Sequence, residues 1–416
     1  MFTLKKQTLI ALFWMPSTYG FLGMLTTFIL YALRIISWDV LNTFTASVII
    51  LTISSFLISS LFYLRYFRKL VDRRASISNE MMLPSVTLIL VLYLIGLAGI
   101  IKYISDYAAA MGGISNFVSA LVSQSYLIRE QTRTTQSIGT QMSYFGWIAI
   151  VLTVLYFTLK SRKSLLLLVL LLLTFVGNLF WIDRTRPLTI VFMGIAVWLF
   201  ANRGLRISGL LRTIAIIVVL GLGGFLLLGT WSGKVTATSN VYGETQISSS
   251  LLNIYVYLTS SYPYLNHVME VEPVTWTIQR SIYPLAKIFS MIGLGPEPPL
   301  HVLGFYSVPY PTNVGTFLEM YYKETGIFGM VIGIFIYCFA LNYMALIFLR
   351  TRRALAIIAW SMLCWISLFA FFTPKIASTE TWLIVGLGLL STLPWVITLK
   401  TIRLNPRIVL RNRGLH

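Results

Sequence analysis

Charged residues are scarce in this 416-residue chain, and acidic ones are the scarcest. Only 11% of the positions are Asp, Glu, Lys or Arg, whereas 57% are hydrophobic. A typical soluble domain has about 25% charged residues, so this composition excludes a soluble globular protein.

Cysteine and histidine are also few. Cys338 and Cys364 both fall in apolar segments, so no disulfide scaffold is predicted. His267, His301 and His416 have no Cys or His neighbour at the spacing of metal ligands. We therefore predict neither a metal site nor a cofactor.

What the chain has instead is apolar runs of about 20 residues, each long enough to cross a bilayer as a helix. They predict an all-α polytopic membrane protein with about ten transmembrane helices. The predicted spans are 8–32, 41–61, 83–101, 141–158, 164–182, 188–201, 213–230, 325–349, 354–372 and 381–399. With no internal repeat and no linker of low complexity, residues 1–416 are predicted to form one membrane domain.

The basic residues predict the orientation. If the N-terminal Lys5 and Lys6 lie in the cytoplasm, 21 of the 32 basic residues fall in cytoplasmic segments, opposed there only by Asp72 and Glu80. Cytoplasmic loops of membrane proteins keep Lys and Arg, so both termini are predicted to be cytoplasmic. The excess positive charge is then a topology signal, and no nucleic-acid partner is expected.

Two predicted outer loops are long, and long ordered loops are usually functional. The smaller covers 102–140, and the larger covers 231–324 between the seventh and eighth spans. The larger loop holds ten of the 22 tyrosines and has apolar segments at 251–264 and 283–294. We expect it to be folded, with these segments lying as helices on the membrane surface or packed against the bundle.

The sharpest short motif is Asp183-Arg184-Thr185-Arg186-Pro187, between the fifth and sixth spans. Proline suits the first position of a helix, so two guanidinium groups would lie over the positive end of the sixth span. Such a site favours a phosphate or diphosphate. The alternative is that Asp183 pairs with one arginine while the other reaches a lipid headgroup.

A second group lies in the larger loop, where Arg280 and Lys287 flank an apolar stretch and His301 follows a proline-rich turn. Each of these three side chains has a simpler interpretation as a solvated surface charge.

The third group is the segment 312–326, which leads into the eighth span. Glu319 and Lys323 are four residues apart and would form an ordinary surface ion pair on a helix. The functional interpretation makes Glu319 or Glu324 a proton acceptor, with Tyr321 and Tyr322 stacking on a sugar ring.

These motifs together resemble the Wzy-type oligosaccharide repeat-unit polymerases, which share their architecture with O-antigen ligases. The matching features are the stretch 184–189 before a short span, the large outer loop, and the segment 312–329. That segment contains Thr-Asn-x-x-Thr followed by Tyr-Tyr-x-acid-x-Gly-x-x-Gly. Where the family commonly has aspartate, this chain has Glu324.

The resemblance implies a polymerase of the bacterial inner membrane with its active site on the periplasmic face. It would transfer a growing glycan from undecaprenyl diphosphate to a hydroxyl of the next lipid-linked repeat unit, without metal or nucleotide sugar. Its expected partners are this lipid-linked oligosaccharide, the membrane lipids and a chain-length regulator protein.

Roles carried over with the resemblance fall on three sets of residues. Diphosphate binding falls on Arg186 first, then Arg184 and Arg280; the base is Glu324, Glu319 or His301; and glycan binding falls on Thr312, Asn313, Tyr321 and Tyr322. Two alternatives stay open, an O-antigen ligase and a secondary transporter or flippase of lipid-linked glycans. Transporters usually place carboxylates inside their spans, whereas the acidic residues here lie at predicted helix ends or in loops.

Overall fold

A computed structural model describes residues 2–75, 84–123, 137–160, 164–181, 185–202, 248–299 and 304–393, together with 223–224, 226–227 and 229–230. The described residues form fourteen α-helices: α1 (Phe2–Trp14), α2 (Pro16–Ala32), α3 (Thr43–Ala75), α4 (Val86–Ala110), α5 (Ile114–Ser123), α6 (Ile138–Leu159), α7 (Leu165–Leu179), α8 (Thr185–Ala201), α9 (Ser249–Thr259), α10 (Ser261–Val271), α11 (Tyr283–Met291), α12 (Phe317–Thr351), α13 (Ala354–Leu368) and α14 (Thr379–Thr392). Two short strands, β1 (Tyr306–Ser307) and β2 (Pro311–Thr312), pair antiparallel.

The long apolar helices make this an all-α membrane protein. Five helical stretches of the described residues are long and apolar enough to cross a bilayer: Thr43–Val71, Val86–Ala110, Ile138–Leu159, Phe317–Thr351 and Ala354–Phe371. The bent pair α1 and α2 is a sixth candidate. The count of ten spans stays a prediction, and most of the seventh, 213–230, lies outside the described residues.

The first predicted span, 8–32, is not one straight helix. It bends by 79° between Trp14 and Pro16. Pro16 has no backbone N–H to donate to the preceding turn, so it ends α1 and takes the first position of α2. A hydropathy window over this stretch does not see the bend, because both halves are equally apolar.

The eighth predicted span begins earlier than expected. The helix α12 starts at Phe317, where the side chain of Thr316 accepts a hydrogen bond from the N–H of Leu318 at 3.2 Å. It is interrupted at Gly326, with φ of +64° and ψ of −164°, a conformation essentially restricted to glycine. Glu319, Lys323 and Glu324 therefore lie on a short first part of α12, before the break.

The core of the bundle is built around α13, which is buried on nearly all sides and packs against α2, α6, α8, α12 and α14. A buried amide ties the neighbouring helices together. Asn342 of α12 donates to the hydroxyls of Ser17 on α2 at 2.6 Å and Ser59 on α3 at 3.0 Å. In membranes, hydrogen bonds of this kind between helices contribute about 0.6 kcal/mol each on average.

The described part of the larger loop, from residue 248, is folded and packs on the bundle. Helix α9 contacts α2, and α10 contacts α12. The hydroxyl of Tyr262 donates to the carbonyl of Met24 at 2.9 Å, and the indole of Trp38 donates to Thr259 at 3.0 Å. The loop thus covers one end of α2 and α12, while the side of the membrane on which it lies stays a prediction.

Candidate functional site

Arg280 lies just before α11, and its guanidinium is buried against α12. Its Nη2 atom donates to Oε1 of Glu319 at 2.7 Å, and the two side chains are 3% and 2% exposed. Two residues with separate predicted roles, in diphosphate binding and proton transfer, are therefore partners of each other.

The carboxylate of Glu324 holds the backbone next to Arg280. It accepts hydrogen bonds from the N–H of Arg280 at 2.5 Å, from the N–H of Ser281 at 3.1 Å and from the hydroxyl of Ser281. Glu324 is fully buried. With its oxygens occupied by these donors, the carboxylate anchors residues 280–281 to α12, which is a positioning role.

Lys323 does not pair with Glu319, as the helical spacing suggested. It pairs with Glu272 at the end of α10, and the hydroxyl of Tyr306 donates to the same carboxylate. The carbonyl of Lys323 also accepts from the N–H of Thr275 at 2.8 Å. Glu319 and Lys323 thus each pair with a residue of the loop, Arg280 and Glu272 respectively. The ion pair between Glu319 and Lys323, the simpler interpretation of their spacing, is wrong.

Gly315 and Tyr264 complete the surroundings of Glu319. A Cβ at Gly315 would lie 2.8 Å from Oε2 of Glu319 and 3.1 Å from the Tyr264 ring, so this close approach requires glycine. Burial raises the pKa of Tyr264 well above its ordinary value, and the nearby Glu319 carboxylate acts in the same direction. The hydroxyl stays protonated and donates to the carbonyl of Gly304 at 2.9 Å.

The predicted glycan-binding residues mostly pack against protein. The Tyr322 hydroxyl donates to the carbonyl of Met269 at 2.9 Å, and the Tyr321 ring lies 3.1 Å from where a Cβ on Gly333 would be. Thr312 is buried, its hydroxyl accepting from the N–H of Val314 at 3.3 Å, and Asn313 is half-buried. Both tyrosines are half-buried, so neither ring is an open platform for a sugar.

Lys287, which the sequence grouped with Arg280, pairs with Glu297 near the proline-rich turn. Glu297 is 70% exposed, and its hydrogen bond from Lys287 lowers the pKa of the carboxyl. This pair is a surface contact, in agreement with the simpler interpretation.

Arg186 has a different environment. Its Cζ atom lies 4.5 Å from the centroid of the Trp181 ring, 5.4 Å from that of Tyr144 and 5.8 Å from that of Trp147. Cations bind to aromatic faces at these distances. We call Tyr144, Trp147 and Trp181 the aromatic cage.

Neighbouring residues fix the rings of the cage. Trp147 donates its Nε1–H to Asn178 at 2.7 Å, and the Trp181 ring stacks on Tyr103 with centroids 3.7 Å apart. The cage thus combines residues of α6 and the end of α7, supported by α4. Arg186 itself belongs to α8, whose described residues begin at Thr185, so Pro187 is not the first residue of the helix. Proline is tolerated there because the first four N–H groups have no partner within the helix.

Arg186 makes no ion pair with any described residue, and its Nη1 atom is buried without a hydrogen-bond partner among them. Of the other sequence-predicted site residues, Arg184 and His301 lie outside the described residues, as does Asp183. The structure therefore brings together Arg280, Glu319 and Glu324 and places Arg186 in a cage of its own.

Sequence reasoning did not identify the cage residues, Glu272 or Ser281 as parts of these clusters. One signal was present: Tyr144 and Trp147 are three residues apart and share a helix face, and Trp181 ends an apolar run next to the arginine motif. In comparison with known proteins, no family model, curated protein or solved structure matches the chain.

Proposed function

We propose that this chain is a polysaccharide polymerase of the bacterial inner membrane. It transfers a growing glycan from undecaprenyl diphosphate to a hydroxyl of the next lipid-linked repeat unit. The proposal is supported by the motifs shared with Wzy-type polymerases and, in the structure, by the environment of Arg186.

The observation that carries the proposal is a guanidinium that has no carboxylate partner among the described residues and is held by three aromatic rings at the first turn of α8. An arginine confined in this way keeps its charge and its paired donors for an external anion. The N–H groups of the first turn of α8 favour the same charge. A diphosphate linked to a lipid suits this combination.

In the reaction, the bond between the anomeric carbon and the diphosphate oxygen breaks, and the acceptor hydroxyl forms a new bond to that carbon. Undecaprenyl diphosphate leaves with the bonding electron pair. A guanidinium in a site shielded from water stabilises this developing negative charge more than it stabilises the reactant.

The proton of the acceptor hydroxyl has to pass to a base. Glu324 and Glu319 are occupied by donors from residues 280–281. We assign these two carboxylates to holding Arg280 and the loop, so His301 is the remaining candidate base from the sequence.

The test is chain extension by the purified protein in liposomes, supplied with undecaprenyl-diphosphate-linked repeat units. We expect oligomers of the repeat on one lipid, with release of undecaprenyl diphosphate, in the absence of an ion gradient.

Arg186→Ala should abolish extension and Arg186→Lys should restore only part of it, because lysine lacks the paired donors. The matched control is Arg34→Ala, which removes an exposed arginine that follows α2, a helix with no residue in the cage. Full activity of Arg186→Ala would contradict the proposal.

An O-antigen ligase would use the same donor with a different acceptor. Adding lipid A-core to the same assay separates the two enzymes, since a ligase caps the core and makes no longer lipid-linked chain.

A transporter or flippase of lipid-linked glycans is the second candidate, because the structure contains two broken helices. The α1–α2 pair is bent by 79°, and α12 is interrupted at Gly326, close to buried charged residues. Broken helices with such residues are a feature of transporter binding sites. Movement of a fluorescent lipid-linked glycan between leaflets, without extension, would favour this function over polymerisation.

A further inference from the structure

The aromatic cage contains a second buried N–H donor besides Arg186. Trp181 is 5% exposed, and its Nε1 atom has no hydrogen-bond partner among the described residues. The other tryptophan of the cage differs, because Trp147 donates to Asn178. A buried donor without an acceptor costs about 1–3 kcal/mol, so it needs a physical explanation.

The two donors belong to side chains that are in contact with each other. The Arg186 guanidinium carbon is 4.5 Å from the Trp181 ring, and both Nη1 of Arg186 and Nε1 of Trp181 are buried without an acceptor among the described residues. Because the two side chains are in contact, we infer that one ligand can accept hydrogen bonds from both. The Trp181 ring cannot easily turn away, because it is stacked on Tyr103 with an interplanar angle of 21°.

We propose that Trp181 is a second binding residue for the anion held by Arg186, its indole N–H donating to a phosphoryl oxygen of the lipid diphosphate. This inference rests on the proposed function, since it names a further residue of the same site. The indole adds a neutral donor without adding charge, so it can favour one oxygen of the diphosphate while Arg186 balances the charge.

The aromatic rings also explain how the site holds a charged group without a carboxylate from the part of the chain that the structure describes. Three ring faces stabilise the guanidinium electrostatically, and its Nη1 atom is buried. A carboxylate partner at this position would compete with a phosphate for the same donors. The cage therefore positions Arg186 and leaves its hydrogen-bonding capacity to the ligand.

The test is a binding measurement that does not require catalysis. Undecaprenyl diphosphate, with undecaprenol as the uncharged comparison, is titrated into the full-length protein in nanodiscs. Trp181→Phe keeps an aromatic ring and removes only the N–H. We expect it to weaken undecaprenyl diphosphate binding by about tenfold to a hundredfold, the loss typical of one hydrogen bond to a charged group. Undecaprenol binding should not change.

The matched control is Trp382→Phe, which removes an indole N–H that already has an acceptor in the protein, the carbonyl of Ile376 at 2.9 Å. It should bind undecaprenyl diphosphate as the wild type does. If Trp181→Phe also binds with wild-type affinity, the inference is wrong, whereas loss of binding in Arg186→Ala would still support the proposed function.

A second measurement covers the case in which Trp181→Phe does not fold. The indole N–H signals of the wild type are followed by NMR, and the Trp181 signal is identified in the wild-type protein by sequential resonance assignment. Undecaprenyl diphosphate should shift this signal and undecaprenol should not. An unchanged signal at saturating undecaprenyl diphosphate would overturn the inference, and absence of any undecaprenyl diphosphate binding by the wild type would contradict the proposed function as well.

Discussion

Arg280 and Glu319 illustrate how burial changes the meaning of a charged residue. Each was a candidate for direct chemistry, yet each is nearly inaccessible and takes the other as its partner. Bringing two charges out of water costs about as much as their attraction returns, so such a pair adds little net stability. Removing one partner is different, because the remaining charge stays buried and uncompensated.

We therefore expect Arg280→Met to destabilise the protein by about 3–5 kcal/mol and the double variant Arg280→Met/Glu319→Leu to recover much of that loss. Thermal unfolding in detergent measures both. The chain-extension assay distinguishes a structural role of Arg280 and Glu319 from a role in the reaction. A double variant that is stable and active supports the structural role. A stable double variant without activity would return Arg280 to the diphosphate-binding residues that the sequence predicted.

Glu324 can be tested in the same way. Glu324→Gln keeps one acceptor oxygen and loses the other, so at least one of the donors at Arg280 and Ser281 is left buried without an acceptor. We expect a loss of about 1–3 kcal/mol in unfolding free energy. The control is Glu297→Gln at the exposed pair with Lys287, where we expect no measurable change in the unfolding temperature. If Glu324→Gln unfolds like the wild type and yet abolishes extension, Glu324 is the base after all.

At the scale of helices, the apolar runs located most of the described spans but not their ends or breaks. A span requires only an average hydropathy over about 20 residues, and 83–101, 141–158 and 354–372 each overlap an apolar helix of the structure. Breaks depend on single residues, Pro16 in one case and Gly326 in the other. The first part of α12 was missed because its charged residues lower the local hydropathy, although partners from the loop satisfy them.

Gly326 gives the sharpest prediction for an element. Its φ of +64° with ψ of −164° is unfavourable for any residue with a Cβ, so Gly326→Ala should cost on the order of 1–3 kcal/mol. Gly386→Ala is the matched control, since a Cβ there meets no atom within 4 Å and the residue is helical. Alanine should leave stability unchanged or raise it slightly at this position. Equal unfolding temperatures for the two variants would mean that α12 straightens at no cost.

For the whole molecule, the candidate site was only partly predictable. The segment 312–326 is continuous, so its motif could be recognised, and Arg280 was singled out in the same loop. The pairing of Arg280 with Glu319 depends on how the loop folds back, which no spacing encodes. The surroundings of Arg186 are less predictable still, because Tyr103 of α4 and Tyr144 of α6 reach Trp181 and Arg186 only after the helices pack.

The orientation of the bundle is the last prediction, and the proposed chemistry depends on it. Helix α6 ends at Leu159 and α8 begins at Thr185, with the 15 residues of α7 between them. A helix of that length rises about 22 Å, so Lys160 and Arg186 belong to opposite ends of this part of the bundle. The basic residues predict that the Lys160 end is cytoplasmic.

Cysteine labelling tests this directly, since the native Cys338 and Cys364 are both fully buried. We expect a membrane-impermeant maleimide to label Gly295→Cys, in the large loop, on intact spheroplasts. Lys160→Cys should be labelled only after the membrane is permeabilised. The opposite pattern would place the loop in the cytoplasm, away from the face on which lipid-linked repeat units are proposed to be joined. It would exclude the polymerase proposal and leave the packing of the helices as described.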